Sequence, residues 1–212
     1  MDLARGRWWF TLTALAVAVA IAIQVPVSAG STRGFFDTPL VRALNVFAFF
    51  TVLSNLIVGA TSLLLALDPR RPSLSFDVLR LTGVVAIAIT GVVYHAVLRG
   101  LDDLVGWALV ADLILHTLVP VMAVVGWLVW GPRDRANRRV VGLTVVFPVC
   151  WFMFTIIRGE VVGFYPYPFI DVADLGYARV MLNCVVVAAL YLAVGAGAAW
   201  LDTTLIRARP RS

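Results

Sequence analysis

Six apolar stretches, each close to the length of a bilayer crossing, constrain this chain more than any other feature. A transmembrane helix needs about 20 predominantly apolar residues. Trp8–Ala29, Leu44–Leu67, Leu81–Leu98, Leu104–Trp130, Val140–Ile157 and Tyr177–Leu201 each supply such a run. Composition agrees: the chain is 61% hydrophobic and 14% charged, whereas a soluble domain is about 45–50% apolar and about a quarter charged. The expected fold is an all-α polytopic membrane bundle of six transmembrane helices, a single domain over residues 1–212. No repeat, low-complexity tract or linker marks a second domain. The run that follows Arg5 and Arg7 exceeds the roughly 7–15 residues of a signal-peptide core, so Val27-Ser28-Ala29 is read as part of a retained span.

The net charge is +5 and all 17 basic residues are arginine. They sit in short clusters between the apolar runs, with no interleaved basic and aromatic patch, so nucleic acid is not an expected partner. One side holds Arg5, Arg7, Arg70, Arg71, Arg80, Arg133, Arg135, Arg138, Arg139, Arg207, Arg209 and Arg211. The other holds Arg33, Arg42, Arg99, Arg158 and Arg179. Loops rich in arginine stay in the cytoplasm, so both termini are expected there, in a cell-membrane protein. Cys150 and Cys184 lie within apolar runs and read as small hydrophobes. Gly195 and Gly197 read as helix-packing positions.

Polar groups inside hydrocarbon are costly, and their positions are informative. Depth follows from the distance to the sharp stops at the arginine-rich ends, at about 1.5 Å per residue. Thr51 lies roughly 25 Å and Asn55 roughly 20 Å from Asp68, and His95 roughly 22 Å from Arg80. His116 lies roughly 22 Å from Gly131, Thr155 roughly 24 Å from Arg139 and Asn183 roughly 28 Å from Asp202. Five helices thus contribute to one polar layer in the non-cytoplasmic third. Thr51, Ser54 and Asn55 share a helix face at i, i+3 and i+4, and Asp112 and His116 stand at i and i+4. The carboxylate can then accept a hydrogen bond from the imidazole and orient it. Pro120 cannot pair with the His116 carbonyl, so a kink is expected there. The bland alternatives are that membrane Ser and Thr bond their own helix carbonyls, and that His116 bonds a neighbouring helix. Tyr94 and His95 would likewise be interface residues.

Four stretches carry a family resemblance: Phe49-Phe50-Thr51-Val52-Leu53-Ser54-Asn55, Thr90-Gly91-Val92-Val93-Tyr94-His95, His116-Thr117-Leu118-Val119-Pro120-Val121, and Arg158-Gly159-Glu160 leading to Gly163-Phe164-Tyr165-Pro166-Tyr167-Pro168-Phe169-Ile170-Asp171. With the six spans, they resemble a family of bacterial six-helix membrane proteins. That family is in turn distantly similar to the eukaryotic androgen-induced membrane proteins, which hydrolyse fatty acid esters of hydroxy fatty acids. The resemblance implies a threonine nucleophile at Thr51 and a catalytic histidine at His116, with a membrane lipid or fatty-acid ester as substrate and no cofactor or metal.

From the residues themselves, Asp112 is expected to support His116, and Asn55 or Ser54 to supply an oxyanion donor. Tyr94, His95, Arg158, Tyr165, Tyr167 and Asn183 are expected to bind substrate, with Arg158 receiving a carboxylate or, as an ordinary interface residue, snorkelling. Two other functions compete: a transporter or ligand-binding protein built on the same polar layer, and a haem protein with His95 and His116 as axial ligands. A rhomboid-type protease is set aside because the chain has no GxSxG stretch.

Overall fold

The computed structural model describes residues 3–32 and 34–207. Arg33, Arg209 and Arg211, counted above for topology, lie outside the described residues. Among the described residues, six helical spans are long and apolar enough to cross a membrane: Leu3–Gly30, Phe50–Leu67, Leu74–Leu98, Trp107–Trp130, Arg138–Val162 and Val172–Thr204. No strand occurs among them. The all-α, six-span reading therefore describes the molecule.

The elements are α1 (Leu3–Gly30), the short α2 (Pro39–Asn45), α3 (Phe50–Leu67) and α4 (Leu74–Val93). They continue with α5 (Trp107–Leu113), α6 (Val119–Trp130), α7 (Arg138–Thr144), α8 (Val146–Val162) and α9 (Val172–Arg207). Two spans contain a wide π turn. Tyr94–Leu98 ends the span begun by α4, and Ile114–Leu118 joins α5 to α6. Leu3 and Arg207 mark one end of the bundle, called here the terminal end; the opposite end is the far end.

Local chemistry moves three predicted boundaries. The second span starts at Phe50, not Leu44, because Thr38 caps a separate helix by accepting from the Val41 N–H, with Pro39 in its first turn. Phe49 is then extended (φ −79°, ψ 134°) and α3 begins afresh. The third span starts at Leu74, not Leu81, because the Ser73 hydroxyl accepts from the Phe76 N–H. The fifth runs beyond both ends of the predicted Val140–Ile157, starting where the Asn137 side chain caps Val140. α1, α3, α4 and α6 pack through buried Val17, Val58, Ile87, Val119 and Ala123. The last two spans are the most lightly buried of the six, jointly with each other.

Candidate functional site

The restart of the chain at Phe50 puts Thr51 in the first turn of α3, where backbone N–H groups lack helical partners. The Thr51 N–H donates instead to the Tyr167 hydroxyl at 3.1 Å. The Thr51 hydroxyl lies 3.2 Å from the same Tyr167 oxygen and 3.2 Å from His116 Nε2. Thr51 is 5% exposed. Its carbonyl is held from below by Ser54 Oγ at 3.0 Å and Asn55 Nδ2 at 2.8 Å. Thr90 backs Ser54 at 3.2 Å, and Asn55 also donates to the Leu115 carbonyl at 3.2 Å. These bonds tie α3 to α4 and to the His116 turn.

His116 sits within the π turn Ile114–Leu118, in which the Val119 N–H reaches back to the Ile114 carbonyl. Pro120 follows in the first turn of α6. The expected kink thus takes the form of one widened turn, a distortion that recurs at functional sites. Gly91 allows α4 to close on it: a Cβ there would stand 3.2 Å from Pro120 Cβ and 3.6 Å from the His116 carbonyl oxygen. The π turn Tyr94–Leu98 presents Tyr94, whose ring stacks on the imidazole at 4.1 Å and 14°. His116 Nδ1 lies 2.8 Å from Asp112 Oδ1, and the Tyr94 hydroxyl donates to Asp112 Oδ2 at 2.5 Å.

The following proton arrangement is consistent with every contact. Asp112, as a carboxylate, accepts from Tyr94 O–H and from His116 Nδ1–H. Nε2 is then the free lone pair of a neutral imidazole and accepts the Thr51 hydroxyl proton. The Thr51 oxygen accepts in turn from Tyr167, which accepts from the Thr51 N–H. Burial pushes the Tyr167 phenol above its ordinary range, and its hydrogen bonds to Thr51 pull the other way. The phenol therefore stays a donor at neutral pH.

Two cavities meet at this point. The larger, about 590 Å³, is the more polar of the two and is lined by Thr51, Tyr94, Asp112, His116 and Tyr167 together with far-end residues such as Arg42 of α2 and Asp102. The smaller, about 230 Å³, is almost wholly apolar and lies among α4, α8, α9 and the Tyr167 loop. Thr51, Leu98 and Tyr167 line both.

Several expected roles need correction. Ser54 and Asn55 spend their donors on backbone carbonyls, so neither is placed to meet an oxyanion. Asn183 is not in either cavity wall; its Nδ2 donates to the Phe169 carbonyl at 2.8 Å and pins the loop that carries Tyr167. His95 is exposed, bonds Thr117 Oγ1 at 3.1 Å and lines neither cavity. Tyr165 turns away towards Glu160, packed over Gly159 where any Cβ would overlap its ring. Arg158 donates to Asn45 Oδ1 at 2.7 Å and lies against the Phe36 and Phe164 rings at 5.6 and 5.7 Å. It braces the wall of the polar cavity from behind.

Sequence reasoning placed Tyr167 among the substrate-binding residues and missed that it touches Thr51. The available signal was Tyr165-Pro166-Tyr167-Pro168, two prolines fixing a short loop with a phenol between them. The fold and this geometry define a class, an α-helical multi-pass bundle with a buried hydroxyl–imidazole–carboxylate array. No protein-family model, curated protein or solved structure matches the chain.

Proposed function

We propose that the protein is an intramembrane lipid-ester hydrolase with Thr51 as nucleophile, His116 as general base and Asp112 as its orienting carboxylate. The observation that carries this reading is the array of Thr51 Oγ1, His116 Nε2, His116 Nδ1 and Asp112 Oδ1, with contacts of 3.2 and 2.8 Å. A threonine hydroxyl is a weak nucleophile until a base takes its proton. As Thr51 Oγ1 attacks the ester carbonyl, its proton passes to Nε2 and the carbonyl oxygen gains the charge. The Tyr167 hydroxyl and the Thr51 N–H, now bonded to each other, are the donors nearest that oxygen, at the positive N-terminus of α3. Collapse expels the alcohol, which takes the proton from Nε2, and leaves an acyl-threonine. Water then attacks with His116 again as base, releasing the fatty acid and restoring Thr51.

The arginine asymmetry supports cytoplasmic termini, which sets the array in the outer-leaflet third and opens the polar cavity away from the cytoplasm. The resemblance to the fatty-acid-ester hydrolases points to the same two residues. A transport pathway is less well supported: the polar cavity ends at Val52, Leu115 and His116, and its lining includes no residue of the terminal half. Haem ligation is less well supported because both Nε2 atoms are engaged within the protein and Tyr94 packs on both imidazole rings.

The deciding experiment is fluorophosphonate labelling and long-chain ester hydrolysis by the purified protein. Thr51→Ala and His116→Ala are expected to abolish both, a loss of at least about 10³-fold in kcat, at unchanged expression. Full activity in both variants would remove the hydrolytic reading.

A further inference from the structure

The array has two sides, and they differ in polarity. His116, Asp112 and Tyr94 border only the polar cavity, whereas Phe152, Cys184, Val187 and Ala188 border only the apolar one. Thr51 and Tyr167 stand at the junction. In ester cleavage the base must reach the leaving oxygen to return its proton, so the alcohol departs on the imidazole side. The acyl group stays on the nucleophile and must extend the other way. We propose that the apolar cavity is an acyl-chain site that holds the group transferred to Thr51, and that the polar cavity takes the alcohol part and admits water. The proposal rests on the hydrolytic reading above and deepens it, because it fixes which half of the substrate is apolar.

The cavity's shape fits a chain. Its lining runs from Cys184 to Leu192 along α9, about 12 Å at a helical rise, and from Pro148 to Phe152 along α8, about 6 Å. It descends from Thr51 towards the middle of the bundle. Val149 and Leu192, 49% and 52% exposed, belong to its lining, so it opens sideways between α8 and α9. An extended hexadecanoyl chain is longer than the cavity and would leave by that opening into the bilayer. A butanoyl chain would not reach it.

Two measurements test the site separately from the chemistry. A palmitate carrying a chain diazirine and an alkyne is irradiated with the detergent-solubilised protein and its adducts are mapped by mass spectrometry. Adducts are expected on Phe152, Val187, Ala188 and Leu192, competed by excess palmitate and not by butyrate. Adducts confined to the far-end loops, or spread over the outer faces of all spans and insensitive to palmitate, overturn the proposal. In the second, Ala188→Trp should lower hydrolysis of the hexadecanoate relative to the butanoate of 4-methylumbelliferone by about tenfold or more. An unchanged ratio in a folded variant also overturns it. Palmitate-competed adducts in a protein that cleaves no ester would keep the acyl site and sink the hydrolysis. Thr51-dependent cleavage without such adducts would do the reverse.

Discussion

At the terminal end, Asp202 accepts from the N–H groups of Arg135 and Ala136 at 2.9 and 3.0 Å, and Arg135 reaches Asp77 at 3.0 Å. At the far end, Asp112 accepts from Tyr94 and His116. Each cluster centres on a buried aspartate, but they differ in what surrounds them. Asp202 borders a void of about 20 Å³, room for little more than a water, whereas Asp112 borders one of about 590 Å³. At the terminal end the partners are mostly backbone groups and arginines, which hold one protonation state. Arg80 belongs there too, 4% exposed and stacked on the Phe10 ring at 5.1 Å. At the far end the partners are an imidazole and a phenol, and the imidazole leads on to a hydroxyl and a second phenol, groups that pass protons. Buried polarity in this bundle therefore takes two forms: a fixed joint between α4, the turn before α7 and α9, and a hydrogen-bonded array with space in front of it.

The sharpest way to break this contrast is to remove each aspartate's charge. Asp112→Asn keeps the shape but can no longer hold His116 with Nδ1 protonated and Nε2 free. Ester hydrolysis should fall about 10²–10⁴-fold in kcat with little change in KM. A rate within threefold of the parent would mean that the Asp112–His116 pair is structural, like its counterpart at the terminal end.

Tyr167→Phe comes next. It removes the hydroxyl proposed to meet the oxyanion, which is also the partner of the Thr51 N–H, so on the hydrolytic reading kcat should fall by about 10²-fold or more. Because the phenol is held neutral by burial, the parent's alkaline limb owes nothing to Tyr167 near its ordinary range, and the variant should keep that limb. Loss of activity together with a shifted limb would show that Tyr167 acts through its own ionisation.

Asp202→Ala should do the opposite of both. It leaves two backbone donors unpaired, at about 1–3 kcal/mol each, so the thermal midpoint in detergent should drop. Hydrolysis per folded molecule should stay within twofold, and Asp202→Asn, which keeps an acceptor, should recover part of the stability. Lost hydrolysis at unchanged stability would erase the distinction between the two ends.

The sequence made one half of this contrast easier to read than the other. Span length and hydropathy exposed the six helices because the bilayer imposes a length on each. Counting residues from the arginine-rich stops then put Thr51 and His116 at one depth, and the i, i+4 spacing set Asp112 beside the imidazole. The same counting misassigned His95 and Asn183, because depth carries no information on rotation about the helix axis. The π turns were not legible, since no residue encodes them beyond Pro120 and Gly91. Ser54 and Asn55 sat on the correct face, but from sequence a donor aimed at an oxyanion is indistinguishable from one aimed at a carbonyl. Tyr167 was hidden for a different reason: its loop returns over α3 from more than a hundred residues away.

The smallest expected effect concerns Tyr94, which touches the array twice. Its hydroxyl donates to Asp112 Oδ2 and its ring stacks on His116. A hydrogen bond to a charged acceptor contributes about 1.5–3 kcal/mol when nothing replaces it. Here the carboxylate borders the polar cavity, where water can take the place of the phenol. Tyr94→Phe, which keeps the ring, should therefore cost only a few-fold in kcat, about 1 kcal/mol or less. Tyr94→Leu also removes the stacked ring, worth about 0.5–1.5 kcal/mol in comparable aromatic pairs, and should cost more. If instead the two variants lose the same activity, the ring does not hold the imidazole and the hydroxyl alone connects the π turn Tyr94–Leu98 to the reaction. If both match Asp112→Asn, the phenol is a full member of the array, and the far end is a four-residue device rather than a triad with a brace.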